Sequence, residues 1–447
     1  MSLTGIAADG DLALLLGGRA AMPPRGAALT QPSWLKQLRA QAVERLGALK
    51  LPTSRDEAWR FTGLSALAQQ SFHPVAAPGD LQPADLERFV VDEAVHRLVF
   101  VDGVHAPRLS SVAADVAGPT AAGVVVGTLA TALAQRAAVV EAHLGRHAGF
   151  HDRVFVALNT AFLHDAAVVL LPRDTAIATP VHLLFIATQP GVVSHPRILV
   201  CAGPGSRAVL IEDHVALHDG SCFSNPVAEI AVDAGASVDH VRIQRDSDAA
   251  FHIGACAVSL AHASRYRSVS VALGARLSRL DLEVRQTAEA TECTLDGLAL
   301  IGGSQLADTH TCIDHSRPHG SSRQLHKCIV DGAAHAVFSG KVLVRPGAQK
   351  TDSAQSSRNL LLTRKAVVDT LPQLEILADD VKCTHAATVG QLDDEEVFYL
   401  RSRGLSEEAA RDVLTYAFGA EVIDRIPVAS LRSRLEQAVL ERTARRP

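Results

Sequence analysis

Two stretches of the chain carry side chains able to hold a soft metal. The first, DVKCTHAAT from Asp380 to Thr388, sets Cys383 and His385 two residues apart. On a β-strand, side chains at i and i+2 project from the same face, so thiol and imidazole would stand side by side. Such a pair is half of a site for iron or an iron–sulfur unit, and an incomplete set on a strand invites completion by a second chain. The opposing reading makes Cys383 a small buried hydrophobe and His385 a hydrogen-bonded core residue, and spacing leaves both open. The second stretch, DTHTCIDHSRPH, holds His310, Cys312, His315 and His319, all zinc-ligand types. On a strand His310, Cys312 and Asp314 face one way and His315 the other, so a mononuclear zinc site requires the chain to bend there. Packing or interface hydrogen bonding is the competing account of this cluster.

These residues lie in a long zone, about 165 to 392, of short alternating segments such as RAVLIED, SVDHVRIQR, RLSRLDLEVRQ and AHAVFSGKVLV. Period-two patterning predicts strands. Gly205, Gly220, Gly235, Gly254, Gly274 and Gly297 recur between them at roughly 15 to 23 residues, too short for a propeller blade. No helical stretch intervenes, which argues against a doubly wound α/β sheet. The pattern favours a β-helix whose coils bury a narrow strip of small apolar side chains, with a β-sandwich as the alternative.

Helical zones flank this core. In WLKQLRAQAVERLGAL, Leu35, Leu38, Ala42, Leu46 and Leu49 share a helix face. VHRLVFVDG predicts a strand ending in a turn, and TLATALAQRAAVVEAHL a helix; AMPPRG before them reads as a mobile lead-in. Beyond 392, SEEAARDVLTYAFG places Ala410, Val413, Leu414, Ala417 and Phe418 on one apolar stripe. Ser406 is its expected N-cap and Gly419 its expected stop. A last helix carries Leu431, Leu435, Ala438 and Val439. Either stripe docks on its own domain or serves a partner protein.

Composition narrows the function classes. The chain has 447 residues, 47% hydrophobic and only 4% aromatic, so its large core is built from small and branched side chains. A net charge of −5 with both signs interspersed argues against nucleic acid. Seven scattered cysteines, odd in number, predict reduced thiols rather than a disulfide framework. The N-terminus is acidic where a signal peptide is basic, and no apolar run reaches the length of a membrane span. A cytoplasmic protein, with neither a membrane nor a nucleic-acid partner, is expected. No Walker A, dinucleotide or G-x-S-x-G signature occurs, so any nucleotide energy must come from another subunit.

From Cys312 to Val422 the motifs VFSGK, AQKTDSAQ, NLLLT, DTLPQLEI, DDVKCTHAAT and FYLRSRG follow one another. This block resembles the SufB/SufD family of iron–sulfur cluster assembly proteins. SRDEAWRFTGL from Ser54 and ALNTAFLHDAAVVLLP from Ala157 extend the likeness over most of the chain beyond about residue 50. The SufB branch carries a cysteine just before its T-x-P-x-hydrophobic-E segment. Here Ala366 stands near that position, which points to the SufD branch. Two departures stand out. Ala386 replaces the glycine of C-x-H-G-A-T, which would be strained if that backbone needs positive φ. Cys328 stands where a glycine is usual, so it is not expected to be a family-wide ligand.

The resemblance implies a mainly β protein. It has a right-handed parallel β-helix core (161–392), a mostly helical region with some strand before it (1–160), and a helical region after it (393–447). It also implies a non-catalytic scaffold with no stably bound cofactor. Such a scaffold pairs through its β-helix end with a SufB-like subunit, or with itself, and binds a SufC-like ATPase through its C-terminal helices. Tyr399, Arg401, Arg403, Gly404, Leu405, Leu414 and Phe418 are the corresponding docking candidates. A transient cluster of iron and sulfide is expected at the subunit interface, with His385 and Cys383 as candidate ligands. The imidazole must be neutral to ligate, so assembly should weaken in acid. The alternatives are a β-helix enzyme acting on polysaccharide, which the scarce aromatics disfavour, and a zinc hydrolase built on His310–His319.

Overall fold

The computed structural model describes residues 32–75, 77–112 and 123–444. The N-terminal stretch and the AMPPRG lead-in lie outside them. The chain is mainly β, 40% strand against 22% helix, and forms a β-solenoid of about 8 turns. One sheet runs through Arg207–Ala216, Ser237–Arg245, Arg265–Ala272, Glu292–Ile301, Ser321–Val330, Asp352–Leu361 and Lys382–Gly390. The facing sheet runs through Phe251–Leu260, Leu277–Gln286, Leu306–His315, His335–Val344 and Val367–Ile376. Strand pairing along both is parallel and in register. Ser321 pairs with Asp352 and Asp352 with Lys382, so one turn consumes about 30 residues and contains two strands. Of the recurrent glycines, Gly205, Gly220, Gly235 and Gly274 do lie between strands, but Gly254 and Gly297, expected there too, stand inside Phe251–Leu260 and Glu292–Ile301.

The corners stack as regularly as the strands. Asp174, Gly205, Gly235, Ala263, Ala290, His319 and Lys350 all have positive φ. In each the N–H donates to a carbonyl of the corner one turn further on, as from Gly205 to Ala234 and from His319 to Gln349. His319 is thus a corner residue in this ladder.

Between the sheets, alternate side chains meet. The first turns are closed by Leu98, Phe100, Leu183, Ile198, Val200, Val238, Val258 and Leu260. The expected strip of small apolar residues is only part of the interior. Glu212, His240, Arg242 and His252 are buried in the middle turns and hydrogen-bonded to one another.

Helices cover both outer faces. Before the solenoid come α1 (Ser33–Leu46), α2 (Ser65–Ala68), α3 (Leu129–His143) and α4 (Val154–Ala161). Ala42, Leu46, Leu67 and Phe155 pack with Phe223, Phe251 and Leu277 of the second sheet. Two buried ion pairs fix this layer. Arg197 meets Glu229 at 2.5 Å, and Glu229 accepts from the backbone N–H groups of Gly145, His147 and Ala148. Arg279 pairs with Asp308 beneath the Trp59 ring. The strand His96–Val101 of this region pairs directly with Val181–Ala187, so the helical zone shares the first sheet.

After the solenoid come α5 (Asp394–Ser402), α6 (Glu407–Ile423) and α7 (Ala429–Ala444). Val422, Ile423, Leu431, Leu435 and Val439 pack against Val241, Val269, Leu298 and Ile329 of the first sheet. Ser406 caps α6 as expected, accepting from the Ala409 N–H at 3.1 Å. Gly419 does not stop it: the helix continues to Ile423, and Gly419 is the buried point where it approaches Ile329 and Leu298. Among the described residues no helix is long and apolar enough to cross a membrane.

Candidate functional site

Both sheets end on strands with one free edge. Among the described residues, Val367–Ile376 pairs only with His335–Val344, and Lys382–Gly390 only with Asp352–Leu361. An unpaired parallel edge leaves rows of N–H and C=O groups without partners and exposes the lumen of the last turn. Large apolar side chains stand open around it: Val367 (47% exposed), Ile376 (39%), Leu377 (52%) and Val389 (49%). Exposed apolar side chains beside an unpaired strand edge are a feature of interaction surfaces.

Cys383 and His385 lie on that last strand. Cys383 packs with Val342, Val344, Ala348 and Ala378 and so faces the lumen. His385 is two residues on, hence on the same face, and is exposed because no further turn caps it. Burial pushes the Cys383 thiol up, against a hydrogen bond from the Ser353 N–H, so binding a metal there requires release of a proton. Ala386 pairs with Ser356 in regular strand geometry without positive φ, so the alanine is unstrained.

The lumen changes character toward this end. Following the register, Cys293 gives way to Ser322, Ser353 and Cys383, and Leu295 to Gln324, Gln355 and His385. The first column is hydrogen-bonded: His315 Nε2 lies 3.0 Å from Ser322 Oγ, which is 2.8 Å from Ser353 Oγ. Gln355 Nε2 donates to Gln324 Oε1 at 3.1 Å, and Gln324 Nε2 to Thr311 Oγ1 at 2.7 Å. This polar lining was not anticipated from the sequence. The only signal for it was the polar alternation in SSRQLH and DSAQSSRN, which by itself also fits a solvated face.

The His310–His319 cluster does not assemble. His310 pairs with Asp308 on the outer face at 2.9 Å, and Cys312 lies on that face too. His315 is buried in the lumen, and His319 is a corner residue. The zinc-hydrolase alternative fails on this geometry, because the strand stays straight and alternation sends the side chains apart. Among the described residues no three His, Cys, Asp or Glu side chains gather to hold a metal. Cys328 is fully buried in an earlier turn, its thiol pushed up to about 12 by burial.

A second exposed surface is formed by α5 and the start of α6. Phe398 (70% exposed) and Tyr399 (57%) point to solvent, and Val413 is half exposed. The Arg403 guanidinium lies over the Tyr399 ring, and Arg401 pairs with Glu407 at 3.4 Å. Gly404 turns the chain with φ +99°, and the Leu405 N–H returns to the Leu400 carbonyl. Leu414 is half buried. Phe418 faces its own solenoid instead, and Lys327 Nζ both lies over its ring and donates to its carbonyl. Phe398, the most open of these side chains, was not among the docking candidates read from the sequence; it lies on α5, a separate helix from the stripe Ala410–Phe418.

Comparison with known proteins now gives the family. The SUF system FeS cluster assembly, SufBD core domain matches residues 185–418, and the SufBD protein N-terminal region matches 28–183. An iron–sulfur cluster assembly SufBD family protein of Synechocystis sp. is 41% identical over 93% of this chain and 92% of its own. The iron–sulfur cluster assembly protein SufD of Escherichia coli is 32% identical over 91% of this chain and 92% of its own. Protein ABCI7, chloroplastic, of Arabidopsis thaliana is 30% identical over 91% and 85%. The chain belongs to the SufBD family of iron–sulfur cluster assembly proteins.

Proposed function

We propose that this chain is a cytoplasmic, non-catalytic scaffold subunit on which an iron–sulfur cluster is built at an inter-subunit interface. The observation that carries the reading is the open last turn. Two free strand edges, a ring of exposed apolar side chains and the outward-open His385 occur together there. A SufB-like solenoid, or a second copy of this chain, extends both sheets across these edges. The partner also supplies the ligands that Cys383 and His385 lack. Iron and sulfide are cargo, held only until handed on.

The arm formed by α5 and the first half of α6 docks a SufC-like ATPase. Phe398, Tyr399 and Leu405 provide the apolar contact, and Arg401 and Arg403 the charge. Closure of two ATPase copies on ATP pulls their arms together and strains the paired ends, opening the interface to iron and sulfide. The same end-to-end pairing explains why neither subunit needs a complete ligand set.

The test is co-expression with SufB-like and SufC-like proteins and purification without oxygen. A stable ternary complex containing iron and sulfide is expected. Recovery of this chain alone, with its partners in separate fractions, would contradict the reading.

A further inference from the structure

The amide ladder inside the last turns has a direction. Gln324 donates to Thr311, and Gln355 donates to Gln324. Each amide thus spends its N–H on the turn behind it and leaves its oxygen for the turn ahead. At the end of the series, Gln355 Oε1 is buried and has no partner among the described residues. Gln355 itself is only 2% exposed. A buried carbonyl oxygen without a donor is destabilising, and here it leaves an acceptor open to a donor from the turn ahead. The residue in register with Gln355 on the next strand is His385, on the same lumen face.

The opposite wall has been cleared for this amide. Gly340 faces it across the lumen, and a Cβ there would collide with Gln355 Nε2. Gly340 has no positive φ to account for it. A Cβ there would also meet Phe338 Cζ, so the glycine leaves room for the Gln355 amide and the Phe338 ring together.

We propose that Gln355 is a positioning residue for His385. Its Oε1 accepts the N–H of one imidazole nitrogen, which fixes the tautomer and turns the other nitrogen's lone pair to the open end. A ligating histidine needs such an acceptor on its second nitrogen, because that bond sets ring orientation and raises ligand basicity. An exposed ring without it would rotate freely and lose entropy on binding. The proposal rests on the reading of His385 as a cluster ligand, but its first test does not.

The test uses the full chain labelled with 15N-histidine, the His385 signal being identified by its loss in His385→Ala. The ring-nitrogen shifts at a pH where the ring is neutral report the tautomer ratio. In Gln355→Leu and in Gly340→Ala, which moves the amide while keeping it, the ratio should shift away from that of the parent. Gln355→Glu keeps an acceptor and should retain the parent ratio. Gln324 can then turn its amide to donate to the new carboxylate, while the Thr311 hydroxyl donates to Gln324. Thermal melts of each variant confirm that the solenoid is intact. An unchanged ratio in both Gln355→Leu and Gly340→Ala overturns the proposal, as does loss of the parent ratio in Gln355→Glu. In the assembled complex, Gln355→Leu should lower iron affinity about 10–100-fold. Normal iron content in His385→Ala would instead refute the ligand reading, while the tautomer result stands on its own.

Discussion

At the residue scale the lumen holds histidines that folding keeps neutral. Burial lowers His252, His315 and His326 to about 4. Each binds a proton more readily in the unfolded chain. The stability this represents is whole above pH about 6.5 and is lost as pH falls toward 4, up to about 3 kcal/mol per residue. Asp213 works in a lower window. Burial raises its carboxyl, but Arg245 and His182 more than offset that and leave it at about 2. Its contribution is whole above the ordinary Asp range and is lost progressively as pH falls through that range toward about 2. Urea unfolding should therefore show a midpoint that declines already between pH 6.5 and 5, before carboxylates titrate. A flat midpoint over that interval would contradict the assignment. Of the pair at the open end, Cys383 is half embedded and His385 is open. Cys383→Ala should lower iron retention by the complex less than His385→Ala does, and equal losses would make the thiol a full ligand. Alternation placed these two side chains on one face from sequence alone. Gln355 stayed hidden because alternation assigns a face and does not say whether it looks into a lumen or into water.

At the scale of elements, the stripe Ala410–Phe418 was legible, but its direction was not. Ala410, Thr415, Gly419, Val422 and Ile423 are the buried residues of α6, so the helix sits rotated and leaves Val413 open. A glycine that reads as a stop is here a contact, since a long amphipathic helix held by a sheet gains more from close approach than it loses in propensity. The α7 stripe docks on its own solenoid through Leu431, Leu435 and Val439. The exposed rings of α5 make a direct prediction. Phe398→Ala with Tyr399→Ala should leave the melting temperature within about a degree, because neither side chain is in the core. The same double variant should weaken ATPase binding at least tenfold by calorimetry, about 1.4 kcal/mol. Unchanged affinity would move the docking surface elsewhere. The free strand offers a second test. The Lys382 N–H bonds back to Thr351, so Ala387, on the other alternation, turns its N–H to the open edge. Ala387→Pro removes that donor and costs little in the isolated chain, because an edge tolerates proline. Sedimentation should show the altered chain folded yet unable to pair with a SufB-like subunit, and wild-type pairing would argue against extension of this sheet.

At the scale of the molecule, period-two segments without intervening helices favoured a solenoid but left a β-sandwich open, and the structure is the solenoid. The repeat length was not legible, because each turn of about 30 residues contains two strands with a punctuating corner after each. The polar interior was not legible either: a strand that buries Glu212 beside His240 and Arg242 alternates like one that faces solvent. The last turn leaves two strand edges unpaired among the described residues, and Cys383 and His385 sit on one of them, where the proposed partner would dock. Iron and acid-labile sulfide, measured in anaerobically purified complexes of the parent and of His385→Ala at matched subunit stoichiometry, test this most directly. The His385→Ala complex should form intact yet hold roughly tenfold less iron and sulfide, or lower, because removing a ligand costs at least as much as removing its hydrogen-bond partner. Equal iron and sulfide in the two complexes would contradict it.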